Sequence, residues 1–292
     1  MGSGRGLSEV NLAGVRLFRR GKVRDTFDLG DRLLMVATDR LSAFDCVLPD
    51  LIPDRGRVLT AMSRFWFSES ARIVSNHLLG DDPSALPAAS YAELAGRMMF
   101  VAKADRVDIE CVVRGHLAGS GWEEYLDRGT LADEVLPKGL SFGAQLPTPR
   151  FTPAIKSDSG HDQNISRAEL LALVGPELAS QLERTSLELY QFGAERCRRA
   201  GLILADTKFE FGFVAGRLTL IDEMLTPDSS RLWEAGDSAG SSHGFDKQPV
   251  RDYLLGTGWN RQPPAPPLPA ALVAATRRRY LEVCKRITGI DL

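Results

Sequence analysis

The sequence predicts an α+β fold, and three observations predict it. Strand-like runs occupy the N-terminal third, at 15–28, 33–37 and 97–114. Long amphipathic patterns at 182–199 and 269–288 read as helices. Between those helices, 202–223 reads as a hairpin of two buried strands, LILADTKFEFGF and LTLIDE, turned at Gly212 and Gly216.

The chain has 292 residues, enough for one large or two medium domains with a sizeable core. A net charge of −2 argues against a nucleic-acid or membrane-surface partner. No apolar run approaches the ~20 residues of a membrane span. The Gly/Ser-rich start, Met1 to Gly6, does not read as a signal peptide. Cys46, Cys111, Cys197 and Cys284 are scattered, with no CxxC pair, and read as reduced thiols of a cytoplasmic protein without a zinc site. The four histidines show no metal-binding spacing.

Taken in order, VRLFRRGKVRDTFD (15–28) reads as two strands around Gly21, Lys22, Val23 and Arg24. A glycine there lets backbone approach a ligand, so this is either a phosphate-covering loop or a plain charged hairpin. Leu33 to Ala37 is a buried strand, followed by TDRLSAFD with Asp45. Residues 56–71 are helical, with Leu59, Met62, Phe65 and Trp66 facing the core. RMMFVAKADRVDIECVVR (97–114) gives two strands, and an adenine could dock near Lys103 in the break between them. Arg114 then leads into GHLAGSGW, where Ser120 is a plausible N-cap and Gly129 ends the helix. A glycine-rich helix entry beside an arginine suits an anion, but equally a well-capped surface helix.

Residues 136–152 read as loop, and TPAIKSDSGHDQNIS carries Lys156 and Asp162 without hydrophobic periodicity. Ser166 and Glu169 form a capping box. In the hairpin, Asp206, Lys208 and Glu210 alternate onto one face. A turn near Gly216 sets Glu210 opposite Asp222. Facing carboxylates beside a lysine suit Mg²⁺ with phosphate co-ligands, or else a surface salt bridge. The hairpin runs into LTPDSSRLW, read as loop, with Asp228 and Arg231. PPAPPLP (263–269) is an extended connector.

Four segments, GKVRD, IECVVRGHLAGSGW, KSDSGHDQNIS and ADTKFEFG with LIDEMLTPDSSRLW, resemble phosphoribosylaminoimidazole-succinocarboxamide synthases (SAICAR synthetases), in the longer, monomeric form. The resemblance covers nearly the whole chain. It implies a small antiparallel β lobe (1–112) over a larger, ATP-grasp-like and kinase-reminiscent α+β lobe (113–292), with the nucleotide in the cleft. It implies a ligase in which ATP phosphorylates the carboxylate of carboxyaminoimidazole ribonucleotide (CAIR), and the amine of L-aspartate displaces the phosphate. By resemblance, Glu210 and Asp222 hold Mg²⁺, Lys208 neutralises phosphate, and Asp206 orients or deprotonates the amine. Gly21, Lys22, Val23 and Arg24 cover the ATP phosphates, Lys103 lies near the adenine and Glu110 holds the ATP ribose. Arg114, Ser120 and Arg231 clamp the CAIR phosphate, and Asp228 meets a ribose hydroxyl or the aminoimidazole. Lys156, Asp162 and Asp45 face L-aspartate or a further metal. A small-molecule kinase and a nucleotide-binding regulatory module are the rival functions.

Overall fold

The computed structural model describes residues 6–156, 163–236 and 244–292. Asp162, expected beside L-aspartate, lies outside the described residues. The chain begins with five strands, β1 (Arg16–Arg20), β2 (Arg24–Asp28), β3 (Arg32–Ala37), β4 (Arg40–Ala43) and β5 (Cys46–Leu51). Helices α1 (Arg55–Glu69) and α2 (Ala88–Glu93) and strand β6 (Met98–Ala102) follow. Antiparallel β1-β2-β3-β6 form one sheet, while β4 and β5 pair as a hairpin.

The remainder holds β7 (Asp105–His116), α3 (Gly119–Arg128), β8 (Thr130–Leu131), β9 (Glu134–Val135) and β10 (Gln145–Phe151). Next come β11 (Ala154–Ile155), β12 (Gln163–Asn164), α4 (Arg167–Val174) and α5 (Pro176–Arg199). The chain closes with β13 (Leu202–Val214), β14 (Arg217–Ile221), β15 (Ser230–Glu234), α6 (Gln248–Gly256) and α7 (Ala270–Thr288). The second sheet runs β12-β11-β7-β13-β14, with β10 on β7 and β15 on β13.

Strand alternation decides what β7 and β13 bury. Phe209 pairs with Cys111 and Thr207 with Val113, so these residues share one face. On that face Phe209, Phe211, Ile109, Cys111 and Val113 are buried with Leu182, Leu189 and Tyr190 of α5 in the main core. Each phenylalanine contributes about 1.5–3 kcal/mol of burial. The opposite face carries the polar residues of the site.

The two sheets are joined by backbone. His77 N–H donates to Leu220 O at 3.1 Å, and Ala102 N–H donates to His77 O at 2.8 Å. Residues 75–79 therefore form a strap between β14 and β6.

Several expectations are corrected. Glu210 pairs with Ile221, not Asp222, because the turn centres on Ala215 and Gly216. Asp222 lies beyond β14 at φ 68°, which redirects its side chain. The stretch 136–152 contains β10, and TPDSSRLW ends in β15 instead of loop. The expected lobe boundary at 112 falls inside β7, and the chain changes sheets at 103–104. The proline-rich connector also packs: Ala265 and Leu268 are buried with Leu41, Leu48 and Ile52 of the N-terminal segment.

Candidate active site

Strands β7, β13 and β15 align the polar residues in rows. Asp206 stands opposite Arg114 on one side and Arg231 on the other, while Lys208 pairs with Val112 and Glu210 with Glu110. Glu110, Arg114, Asp206, Lys208, Glu210 and Arg231 thus share one face, as alternation requires.

One end of the row is a guanidinium clamp. Asp206 Oδ2 accepts from Arg114 at 2.9 Å and from Arg231 at 2.6 Å. Arg114 also donates to Ser120 Oγ at 2.8 Å, Thr152 Oγ1 at 3.1 Å and Ala118 O at 3.2 Å. Ser120 is not the cap of α3; Ala118 is, and the Ser120 hydroxyl faces Arg114 instead. A Cβ on Gly119 would lie 2.3 Å from Arg231 Nη2, so only glycine leaves that guanidinium its place. Burial lowers the Arg114 pKa and Asp206 opposes the shift; Asp206 raises that of Arg231.

The other end is a lysine–carboxylate cluster. Lys208 Nζ donates to Glu110 at 2.6 Å and to Glu210 at 2.9 Å. Lys156 pairs with the second oxygen of Glu210. Burial pulls the Lys208 pKa down, but Glu210, Glu110 and Asp222 outweigh it and hold the ammonium charged. Burial pushes the Glu210 carboxyl up, and Lys208 with Lys156 overcomes this to hold it well below the usual range. Arg24 reaches over from the small sheet to Asp222 and Glu223.

The loop between β1 and β2 is fixed in shape. Gly21 N–H donates to Arg24 O at 2.8 Å, Thr38 N–H donates to Val23 O at 3.0 Å, and Arg40 donates to Gly21 O and Lys22 O, each at 3.0 Å. Lys22 pairs with Asp45 at 2.5 Å. Lys103 stands apart from the cluster, half-exposed and paired with Asp28 at 2.7 Å.

The Asp228 side chain, 4% exposed, borders the same cavity as Arg114, Asp206 and Lys208. It pairs with the fully buried Arg55 of α1 and accepts from Lys247 and Tyr280, each at 3.1 Å. Burial raises its pKa, but Arg55 and Lys247 drive it well below the usual range. Sequence reasoning missed Arg55, Asp246, Lys247 and Arg251, which come to this site from α1 and the start of α6. The dipeptide Asp246-Lys247 just before α6 is the signal that could have found them.

Fixed cations at both ends of one sheet face, with carboxylates between them, have the charge and geometry that suit an enzyme acting on phosphorylated substrates. The SAICAR synthetase family model matches residues 17–266. A phosphoribosylaminoimidazole-succinocarboxamide synthase from Desulfosudis oleivorans is 52% identical over 96% of this chain and 98% of its own. One from Syntrophobacter fumaroxidans is 49% identical over 97% and 96%. A SAICAR synthase from Saccharomyces cerevisiae, solved in complex with SAICAR, superposes with a TM-score of 0.88 at 36% identity, covering 98% of this chain and 99% of that one. The chain belongs to the SAICAR synthetase family, ligases that form a C–N bond with ATP.

Among the described residues, no group of three or more His, Cys, Asp or Glu side chains is set to hold a metal ion. No described helix is long and apolar enough to cross a membrane.

Proposed function

We propose that this chain makes SAICAR from ATP, CAIR and L-aspartate through an acyl phosphate, with the two ends of the polar row handling the two phosphorylated substrates. The observation that carries this is the alternation along β13, which joins the Asp206 arginine clamp to the Lys208 cluster on one face. A carboxylate is a poor electrophile. Transfer of the terminal phosphoryl group of ATP to the CAIR carboxylate releases ADP and supplies a leaving group. The free amine of L-aspartate then attacks the acyl carbon, the amide bond forms, phosphate departs and the nitrogen loses a proton.

Arg114, Ser120 and Arg231 hold the CAIR phosphate. Asp206 already accepts two guanidinium donors, which favours a role in positioning both arginines over proton removal. The Gly21–Arg24 loop covers the ATP phosphates, with Lys208 and Arg24 meeting their charge. Glu110 orients Lys208 and borders the ATP ribose, and Lys103 lies toward the adenine. Lys156 and Asp45, with Asp162, serve the L-aspartate side. Asp228 holds Arg55, Lys247 and Tyr280 beneath the substrates.

Mg²⁺ fits Glu210 and Asp222, because carboxylate oxygens with phosphate co-ligands are its usual donors and both acids here are paired with cations that phosphates can draw away. When bound, it supplies charge neutralisation on the transferring phosphoryl group. We take the enzyme to be a cytoplasmic monomer; gel filtration at the mass of one chain checks the oligomeric state.

The test is ADP release from purified protein with Mg-ATP and CAIR, with and without L-aspartate, while the imidazole product is followed. ADP and SAICAR appearing together only with all three substrates is the expected result. ATP bound but never turned over, with CAIR intact, would leave a regulatory module, and a phosphorylated product without amide a kinase.

A further inference from the structure

The guanidinium clamp opens into a cavity of about 160 Å³. This is below the roughly 300–1,000 Å³ usual for a whole ligand, so it takes a portion of one. Among its lining side chains are Arg114, Arg231, Asp228, Asp246, Lys247 and Arg251. Asp228 Oδ1 is taken by Tyr280, and its Oδ2 by Arg55 and Lys247. Asp246 differs. It is 3% exposed, its Oδ1 accepts from Gln248 N–H at 2.5 Å, and its Oδ2 is buried with no hydrogen-bond partner among the described residues. Arg231 Nε, on the same cavity, is also buried without a partner among the described residues. An unpaired buried carboxylate oxygen is costly, and native structures keep such a group mainly where a ligand or water supplies the donor.

We infer that Asp246 is a substrate-binding residue that accepts a hydrogen bond from a ribose hydroxyl of the ribonucleotide whose phosphate sits on Arg114 and Arg231. This deepens the proposed function and rests on it. A 5′-ribonucleotide carries its hydroxyls a few bonds from its phosphate, which suits an acceptor on the same cavity as the phosphate clamp. The ammonium of L-aspartate is another donor. On the proposed assignment, however, L-aspartate lies with Lys156 and Asp45, beyond Lys208 from the clamp.

The test is steady-state kinetics of wild type and Asp246→Asn with CAIR and with its 2′-deoxy and 3′-deoxy analogues. The asparagine keeps an oxygen for the Gln248 N–H and places an amide donor where Oδ2 was. The KM for CAIR should rise about 10- to 100-fold, the range for leaving one substrate hydrogen bond unmade, while KM for ATP and L-aspartate stays unchanged. One deoxy analogue should cost the wild type a similar factor and cost Asp246→Asn little. An unchanged KM for CAIR, or a rise confined to L-aspartate, overturns the assignment. Should the variant fail to fold, the wild type decides alone: no penalty for either deoxy analogue also overturns it. Wild-type protein that makes no SAICAR refutes the proposed function itself, and this assignment with it.

Discussion

Lys208 is the residue on which two carboxylates converge, and it is held charged against its burial. On the proposed assignment, Lys208→Gln removes the charge that meets the transferring phosphoryl group, and kcat should fall by about 10²–10³, the usual cost of one preorganised electrostatic contact. Coupled ADP release measures it, with ATP binding followed separately to show that the fold survives. His116 gives a different single-residue signature. Burial lowers its pKa below the ordinary 6.5, with Asp206 opposing in part. The unfolded chain therefore takes up a proton near pH 6.5 that the folded chain refuses. The His116 contribution is complete above that pH and is lost as pH falls below it. Melting temperatures from pH 8 to pH 5 should drop more steeply for wild type than for His116→Phe below pH 6.5. Parallel curves would remove His116 from the acid response.

At the scale of elements, β7 is held so tightly against α5 that one methyl group is too many. A Cβ on Gly115 would lie 1.9 Å from the Tyr190 hydroxyl, which donates to Leu204 O at 2.6 Å. Gly115→Ala must push Tyr190 off that carbonyl, and overpacking of this kind costs about 1–3 kcal/mol. Urea unfolding should show it as a lower midpoint with an unchanged slope. The alternation of β13 was legible in the sequence because a period of two needs only local side-chain order. The register of β14 was not. It depends on which residue tops the turn, and a slip of one places Ile221 instead of Asp222 opposite Glu210. Strands β10 and β15 escaped for a related reason. Both sit at edges of the sheet and carry prolines or polar residues, so neither shows the apolar alternation of a buried strand. The capping box at Ser166 was legible because it is complete within four residues.

At the scale of the whole molecule, long-range charge pairing was the least legible layer. Arg55 meets Asp228 across 173 residues and Arg24 meets Asp222 across 198. No spacing rule reaches that far. The Arg24 pair also ties the small sheet to the large one, beside the backbone strap at 75–79. Without ligand, Arg24 neutralises Asp222 and Glu223, and it would have to share or yield Asp222 for a divalent ion to bind there. On the proposed metal assignment, the guanidinium and Mg²⁺ would compete for one carboxylate. Arg24→Gln should lower the stability of the free protein by about 1–3 kcal/mol, the cost of leaving the buried Glu223 without its ion-pair partner. The same change frees Asp222, so Mg²⁺ alone should stabilise the variant more than the wild type, since only a ligand that binds the folded form raises its stability. Thermal melts with MgCl₂, against NaCl at equal ionic strength, separate this from general screening. An equal response of both proteins to Mg²⁺ would show that Arg24 does not guard the metal position and that its place is purely structural. A larger shift in the variant, absent when Asp222 is also changed to Asn, would locate the ion on that carboxylate.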